Sequence, residues 1–441
     1  MYHLQAARQS RLLLTVVILV SLPQLNIAKD NDLYISGFAS QGFIVSSDNA
    51  YRVENSVEGS FEFNEAVVSI QANPSDRLRV GIQFMSWDLG DEGNNQVMID
   101  WAGADYRWRD DLGFRAGKIK MPMGLYNQGR DIDMLRTCIL LPSSVYQEDQ
   151  RDFVLALEGV SIYGNKPLCY AGHLDYELYC GTLNIPDPSR GFWGDIYASS
   201  GESTRRGLKE YFSDQTGIGQ DSIAVELATI ENEKVTFPVV YGSAFVWNTP
   251  LNGLRLGSSW FIGEFDMAGD WEYQIAITDT SGHADSRIEI LHWEQEFDID
   301  RMWIASAEFT YDRLRAVAEY SSGMIDNGTG TGRDEGYYGQ LSYRFTDWLT
   351  AASYYSIYYE DANDRSGRHF RSDGWPEYVG WAKDLSCATR FDLTPNWLMK
   401  AEFHYVDGLA QLSIADHIPL LRHNKLERYW TALVLKTTVH F

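Results

Sequence analysis

Beyond its first thirty residues the 441-residue chain has no stretch near the ~20 continuous apolar residues that a membrane-spanning helix needs. Its mean hydropathy is mildly polar, at −0.30. A helical-bundle membrane protein is thereby excluded. Basic residues are the minority: 37 Lys and Arg stand against 61 Asp and Glu, a formal net charge of −24, which argues against a nucleic-acid partner, whose phosphates need a basic face. There are only four cysteines, Cys138, Cys169, Cys180 and Cys387, and their spacings match no zinc or redox motif. No Gly-x-Ser-x-Gly elbow and no His-x-x-x-His pair is present, and Gly328-Thr-Gly-Thr-Gly332 lacks the Lys-Ser/Thr of a phosphate loop. Carboxylate pairs are too abundant in so acidic a chain to mark acid/base catalysis. Nothing points to a cofactor. Asp88, Asp91, Glu92 and Asn94 offer oxygen ligands for Ca²⁺, but a solvated acidic loop explains them more simply.

What is abundant is aromatic: 26 Tyr, 20 Phe and 14 Trp. The chain opens with Arg8 and Arg11, an apolar run from Leu12 to Val20, then Pro23 and the small Ala28, the order of a secretory leader covering 1–28. After it, period-two alternation recurs to the last residue. In Leu78-Arg79-Val80-Gly81-Ile82-Gln83-Phe84 one face is apolar and the other wet, and the same rhythm marks 254–257, 314–320, 337–345 and 399–405. At the end Tyr429, Thr431, Leu433, Leu435, Thr437, Val439 and Phe441 share one face, opposite Lys436 and His440.

Connectors alternate in length. Short ones fall at 73–76, 109–111, 248–250, 311–313, 346–348 and 394–396, and long ones at 88–95, 121–152, 184–236, 266–300, 322–335, 360–382 and 408–428. This pattern predicts an all-β fold: over 29–441, a transmembrane antiparallel barrel of about sixteen strands in the outer membrane, with short periplasmic turns and long extracellular loops. A secreted sandwich or propeller is the soluble alternative, and no blade-length repeat supports it. Two stretches stay open. Segments 271–277 and 288–293 are strand extensions above the membrane or an extra hairpin, and 205–212 is a candidate loop helix. Cys169 falls in a turn and Cys180 well up the next strand, too far apart for a bridge, so free thiols are expected.

The stretch Gly113-Phe-Arg-Ala-Gly-Lys-Ile-Lys-Met-Pro-Met-Gly124, with Leu125 to Thr137 after it, resembles the strand and inward-folded loop of phosphate-selective-type porins. Gly159 to Asn165 and Asp175 to Asn184 are similar to the two strands that follow. The resemblance implies a homotrimer of sixteen-stranded barrels, each pore narrowed by one loop. Its surroundings would be outer-membrane lipid, lipopolysaccharide and the barrel-assembly machinery, and its solutes small and hydrophilic or anionic. Members selective for phosphate carry many basic residues along the pore, from which this acidic chain departs.

Assigning faces by alternation places Arg77, Arg79, Arg255, Arg315, Arg344, Arg390, Lys400 and Lys436 on the inner wall, with Lys118 and Lys120 added if that strand keeps its lysines off the lipid. Glu62, Glu308, Glu319, Asp384 and Glu402 share that phase. The inner wall is thus mildly basic, and most negative charge belongs to loops, above all 264–300. Such a wall either enriches anions or merely hydrates a lumen of mixed sign. Segment 121–152 carries Arg130, Asp131, Asp133, Arg136, Glu148, Asp149, Arg151 and Asp152 beside apolar Ile139, Leu140 and Leu141. It is expected to fold into the lumen, with Arg130, Asp131, Asp133, Arg136 and Arg151 at the constriction. Phe441, on the lipid face of the closing strand, is expected to serve assembly. A passive porin, and not an enzyme, is the function these features favour, with anion preference as the finer expectation. An outer-membrane lipase- or protease-type barrel, or an adhesin, is the alternative.

Overall fold

The computed structural model describes residues 33–441 apart from 91, 184, 186–190, 279–283, 329 and 373. The expected leader, 1–28, lies outside the described residues. The strands are β1 (Leu33–Ser46), β2 (Phe63–Ser75), β3 (Leu78–Leu89), β4 (Val97–Arg109), β5 (Leu112–Lys120), β6 (Ala156–Pro167), β7 (His173–Thr182), β8 (Ile223–Thr236), β9 (Val240–Asn248), β10 (Leu254–Thr278), β11 (Ala284–Tyr311), β12 (Leu314–Asp326), β13 (Thr331–Gly332), β14 (Glu335–Arg344), β15 (Leu349–Tyr359), β16 (Trp381–Thr394), β17 (Trp397–Gly408) and β18 (Tyr429–His440).

Each strand pairs antiparallel with its neighbours, and β1 pairs with β18, so the sheet closes on itself. Two strands stand outside the ring: β8 pairs with the outer half of β10, and two-residue β13 with the end of β12. Sixteen strands remain in the closed barrel, as the alternation predicted. Closure matters because a strand edge left in lipid would expose backbone groups with no partner.

The alternation sorts side chains as expected. Leu341, Tyr343, Leu385, Phe403, Leu433 and Leu435 stand exposed on the outer face, while their sequence neighbours Ser342, Lys400, Glu402 and Lys436 are buried inside. Near the short turns the outer face carries Trp108, Tyr311, Phe345, Trp348 and Phe441, an aromatic girdle of the kind that sits at a membrane interface.

On the inner wall five glycines line up as direct cross-strand partners: Gly81, Gly103, Gly117, Gly159 and Gly181, on β3 to β7. A Cβ on Gly117 would lie 2.2 Å from the Ala102 carbonyl oxygen, and one on Gly159 2.1 Å from that of Cys180. No side chain fits at either place, and Gly117 also has φ +127. At these points the neighbouring backbone occupies the space a side chain would need.

The two open stretches resolve. β10 and β11 run on as one continuous hairpin, 25 and 28 residues long. At ~3.3 Å per residue they reach well past a ~25 Å lipid band, so the segments around 271–277 and 288–293 are strand extensions. β8 joins this extension, and a helix, Gly191–Thr216, longer than the 205–212 expected, packs Phe212 on Trp271, Tyr273 and Ile275. A second loop helix, Ile414–Arg422, is tied to it through Arg422, 2.5 Å from buried Glu202. All four cysteines are free.

The last residue belongs to the ladder. The Phe441 amide donates to the Gly37 carbonyl at 3.0 Å, and the Gly37 amide returns a bond at 3.2 Å. Deleting Phe441 removes both bonds at the closing seam together with an interfacial aromatic. The deletion should lower the amount of heat-modifiable barrel recovered from membranes, read as the fraction migrating fast on an unheated gel; unchanged recovery would show that the seam closes without this residue.

Candidate functional site

Between β5 and β6 the chain leaves the wall and crosses the lumen. Asn127 closes the base of this loop, its amide donating to Met121 O at 3.0 Å and Val154 O at 2.7 Å. Two inward glutamates then capture loop backbone from different walls. Glu319 on β12 accepts from the Leu125 amide at 2.9 Å and the Tyr146 hydroxyl at 2.6 Å. Glu402 on β17 accepts from the Ile139 and Leu140 amides. Ile139, Leu140 and Leu141 are buried, as an inward-folded loop requires.

The loop's charges are engaged in a continuous buried chain of alternating sign. Lys400 on β17 lies 2.9 Å from Asp133, which lies 3.2 Å from Lys436 on β18. Lys436 reaches Glu65 on β2 at 2.6 Å, and Glu65 is 3.5 Å from Arg151. Arg151 holds Asp131 at 2.5 Å; Asp131 pairs with Lys120 on β5, and Lys120 with Asp100 on β4 at 2.9 Å. Burial opposes ionisation of Asp133, but the Lys400 and Lys436 ammoniums overcome it and hold the carboxyl far below its usual range. Lys120 and Arg151 do the same for Asp131.

These positions correct part of the expected pore lining. Arg130, Asp131, Asp133 and Arg151 do not present charge to the channel, because all four are buried in the loop's packing. Arg130 donates to the Gln147 carbonyl at 2.5 Å and lies 3.2 Å from Glu148, whose carboxyl, despite burial, Arg130 and Arg151 pull down to about 2. Arg136 is partly exposed and donates to the Arg130 carbonyl. Lys120 and Lys400 face inward but are consumed by the ion chain. Arg390 is turned onto Asp392, at 2.7 Å, and the loop carbonyl of Met134. Arg77 sits in the turn between β2 and β3, not on the wall. Lys118 pairs across the ladder with Ala102 and Glu158, in phase with exposed Phe114, and so faces outward.

The condition set on β5 thus fails at Lys118, because the wet phase of the strand is that of Arg115. Arg115 in fact faces inward, 2.7 Å from Glu177 and 3.2 Å from Asp105, while apolar Ile119 shares its phase because the loop packs over it. Only at the strand's last residue does Lys120 turn in. A missed signal was Asp105, whose side lay in the wet phase of the preceding strand.

What remains open to water is an arginine-lined vestibule toward the short turns. Arg79 is 58% exposed beside Asp105, Arg255 46% and Arg315 29%, the last two sharing Glu308; Arg344 is exposed further round the wall. In each pair the carboxylate is less exposed than the arginine, so guanidinium edges face the lumen. Among the described residues no group of three His, Cys, Asp or Glu side chains is placed to hold a metal ion.

Replacing Asp133 by Asn would leave two buried ammoniums without their shared carboxylate, a change worth roughly 3–5 kcal/mol for buried pairs. The variant should expose the loop to protease in folded protein and raise channel noise. In the parent, the Asp133 pairs should persist as pH falls from 5 to about 4. A depressed carboxyl gives stability that is complete above its unfolded pKa and lost only as pH falls through the folded value, which here lies in strong acid. A difference in protease protection between the parent and Asp133→Asn that vanishes over that range would contradict Asp133 as the loop's anchor.

No family model matches the chain, and no curated protein matches it in sequence. Solved structures do. OmpF of Salmonella typhi, in complex with daunomycin, aligns over 93% of this chain and 98% of its own at 10% identity and a TM-score of 0.51. An anion-selective porin from Comamonas acidovorans aligns over 93% and 100% at 8% identity (TM-score 0.49), and the outer-membrane channel DcaP of Acinetobacter baumannii over 93% and 97% at 9% (TM-score 0.48). At such identities the likeness is one of fold. The architecture is that of the outer-membrane porins, and the outer membrane is where this barrel resides.

Proposed function

We propose that the protein is a porin of the phosphate-selective type in the broad sense, a homotrimer that lets small hydrophilic solutes diffuse passively and favours anions, without enzymatic activity. The observation that carries this reading is the inner wall: Arg79, Arg255, Arg315 and Arg344 stay water-exposed inside a closed barrel, while the acids that pair with the first three are less exposed than they are, Glu308 being buried. Cations lining a narrow aqueous lumen act on a passing anion at close range, whereas the outer-loop charges lie farther off and salt screens them beyond ~8–10 Å. The inward loop supports the reading by narrowing the lumen above this vestibule. Trimeric assembly rests on the resemblance of 113–137 to that family.

Planar-bilayer recording tests the proposal. A discrete ohmic step is expected, with a reversal potential in a salt gradient that reports anion preference. Arg315→Glu should move the reversal potential toward cations, Arg136→Glu should move it less, and Asp285→Lys in the outer hairpin least. Absence of conductance from folded, heat-modifiable protein would sink the pore reading, and dominance by Asp285 would place selectivity at the mouth.

A further inference from the structure

The outer wall carries charge at a height where lipid is expected. Lys118 on β5 and Glu158 on β6 are direct cross-strand partners in the outward phase of their strands. Lys118 is six residues from the short-turn end of β5, and Glu158 nine from that of β6. Apolar Ile99 and Val97, exposed in the outward phase of β4, stand ten and twelve residues from the short-turn end of theirs. Apolar surface therefore continues above the pair, as it does below, where Phe114, Val160 and Ile162 are exposed. Lys118 donates to the Ile99 carbonyl at 2.7 Å. Glu158 is exposed and, among the described residues, has no hydrogen bond and no ion pair, with Lys118 or any other group. Charged side chains on the lipid face of a barrel are destabilising, the more so the deeper they lie in the hydrocarbon.

What covers the pair follows from the shape and charge of this wall. The outward side chains beside it are small, Ala102 and Ala104 on β4 and Ala116 on β5, so the wall is flat. From β14 to β17 the outward face instead carries Leu341, Tyr343, Tyr355, Leu385, Phe403 and Tyr405. Beyond β7 the chain leaves the flat wall, with Leu183 and Ile185 packed into the interior. Hydrocarbon satisfies neither charge, an anionic lipid headgroup would meet Glu158, and a cationic ligand would meet Lys118. A surface that offers one charge of each sign at the same spacing suits both, and this patch on another copy of the chain is such a surface. We propose that copies of the protein meet through this face of β4 to β6, Glu158 of one against Lys118 of the next. Around a threefold axis each copy gives one such contact and receives one, so every charge is paired. The inference rests on the homotrimer reading above and adds to it the face and the residues.

Light scattering during size exclusion, on full-length protein folded in a non-ionic detergent, tests the interface. The parent is expected at three copies per particle. Glu158→Lys and Lys118→Glu, each of which sets like charges against each other, should cut the protein mass per particle to one third. Combined in one chain, the two changes restore opposite charges and should restore the trimer. Ala104→Trp, which adds bulk to the flat wall without charge, should also dissociate the copies, whereas Leu385→Lys on the far wall should leave them together. Heat-modifiable mobility on a gel shows that each barrel is folded. A trimer unaffected by any change on β4 to β6, or a folded double variant that stays dissociated, would overturn this interface and leave trimeric assembly standing. A monomeric parent would overturn both. Bilayer conductance reports on the pore independently of either result.

Discussion

A single buried chain of charge holds this barrel's interior in place. Lys400, Asp133, Lys436, Glu65, Arg151, Asp131, Lys120 and Asp100 alternate in sign from β17 to β4, and three of the eight belong to the inward loop. Each interior charge has neighbours of the opposite sign, so removing one strands the next. Buried pairs of this kind are a poor source of net stability compared with apolar packing, yet they are strict about geometry. The chain also reaches across the closing seam: the Lys436–Glu65 pair joins β18 to β2 over β1, the strand that lies between them. Loop placement and barrel closure therefore depend on the same contacts.

Because the chain neutralises itself, it takes most of the lumen's ammoniums out of play. The cations left to act on a solute are guanidiniums near the short turns, where bulk water reaches them. Arginine suits that place, since a guanidinium bonds its carboxylate along one edge and still presents N–H groups on another. The formal charge of −24 says little about this wall, because the acids are concentrated in the mouth and in the outer hairpin.

The barrel was legible in the sequence because its signals are periodic and redundant. Alternation marked most of the strands, connector lengths marked the two ends, and the terminal phase of Phe441 marked closure. The loop's inward path was legible from Ile139 to Leu141, which water would not tolerate in so polar a connector. What the sequence left hidden was pairing. Nothing local tells that Lys400 meets Asp133, 267 residues earlier, or that Glu402 spends its oxygens on the backbone of Ile139 and Leu140. A lysine in the wet phase reads as a pore charge until its partner is known. On β5 even the phase misled, because apolar Ile119 faces a packed loop and not lipid.

The glycine row on β3 to β7 bears on how the chain finds its pairing at all. Alternation separates correct register from a slip of one residue, which would turn every side chain to the wrong face, but it is blind to a slip of two. A two-residue slip of β5 would set Arg115 or Ile119 between Gly103 and Gly159, where the neighbouring strand's backbone leaves no room for a Cβ. A like slip of β6 would bring Leu157 or Ser161 there. Five glycines in a line thus supply the information that period two lacks, and mark the one alignment of these strands that avoids such collisions.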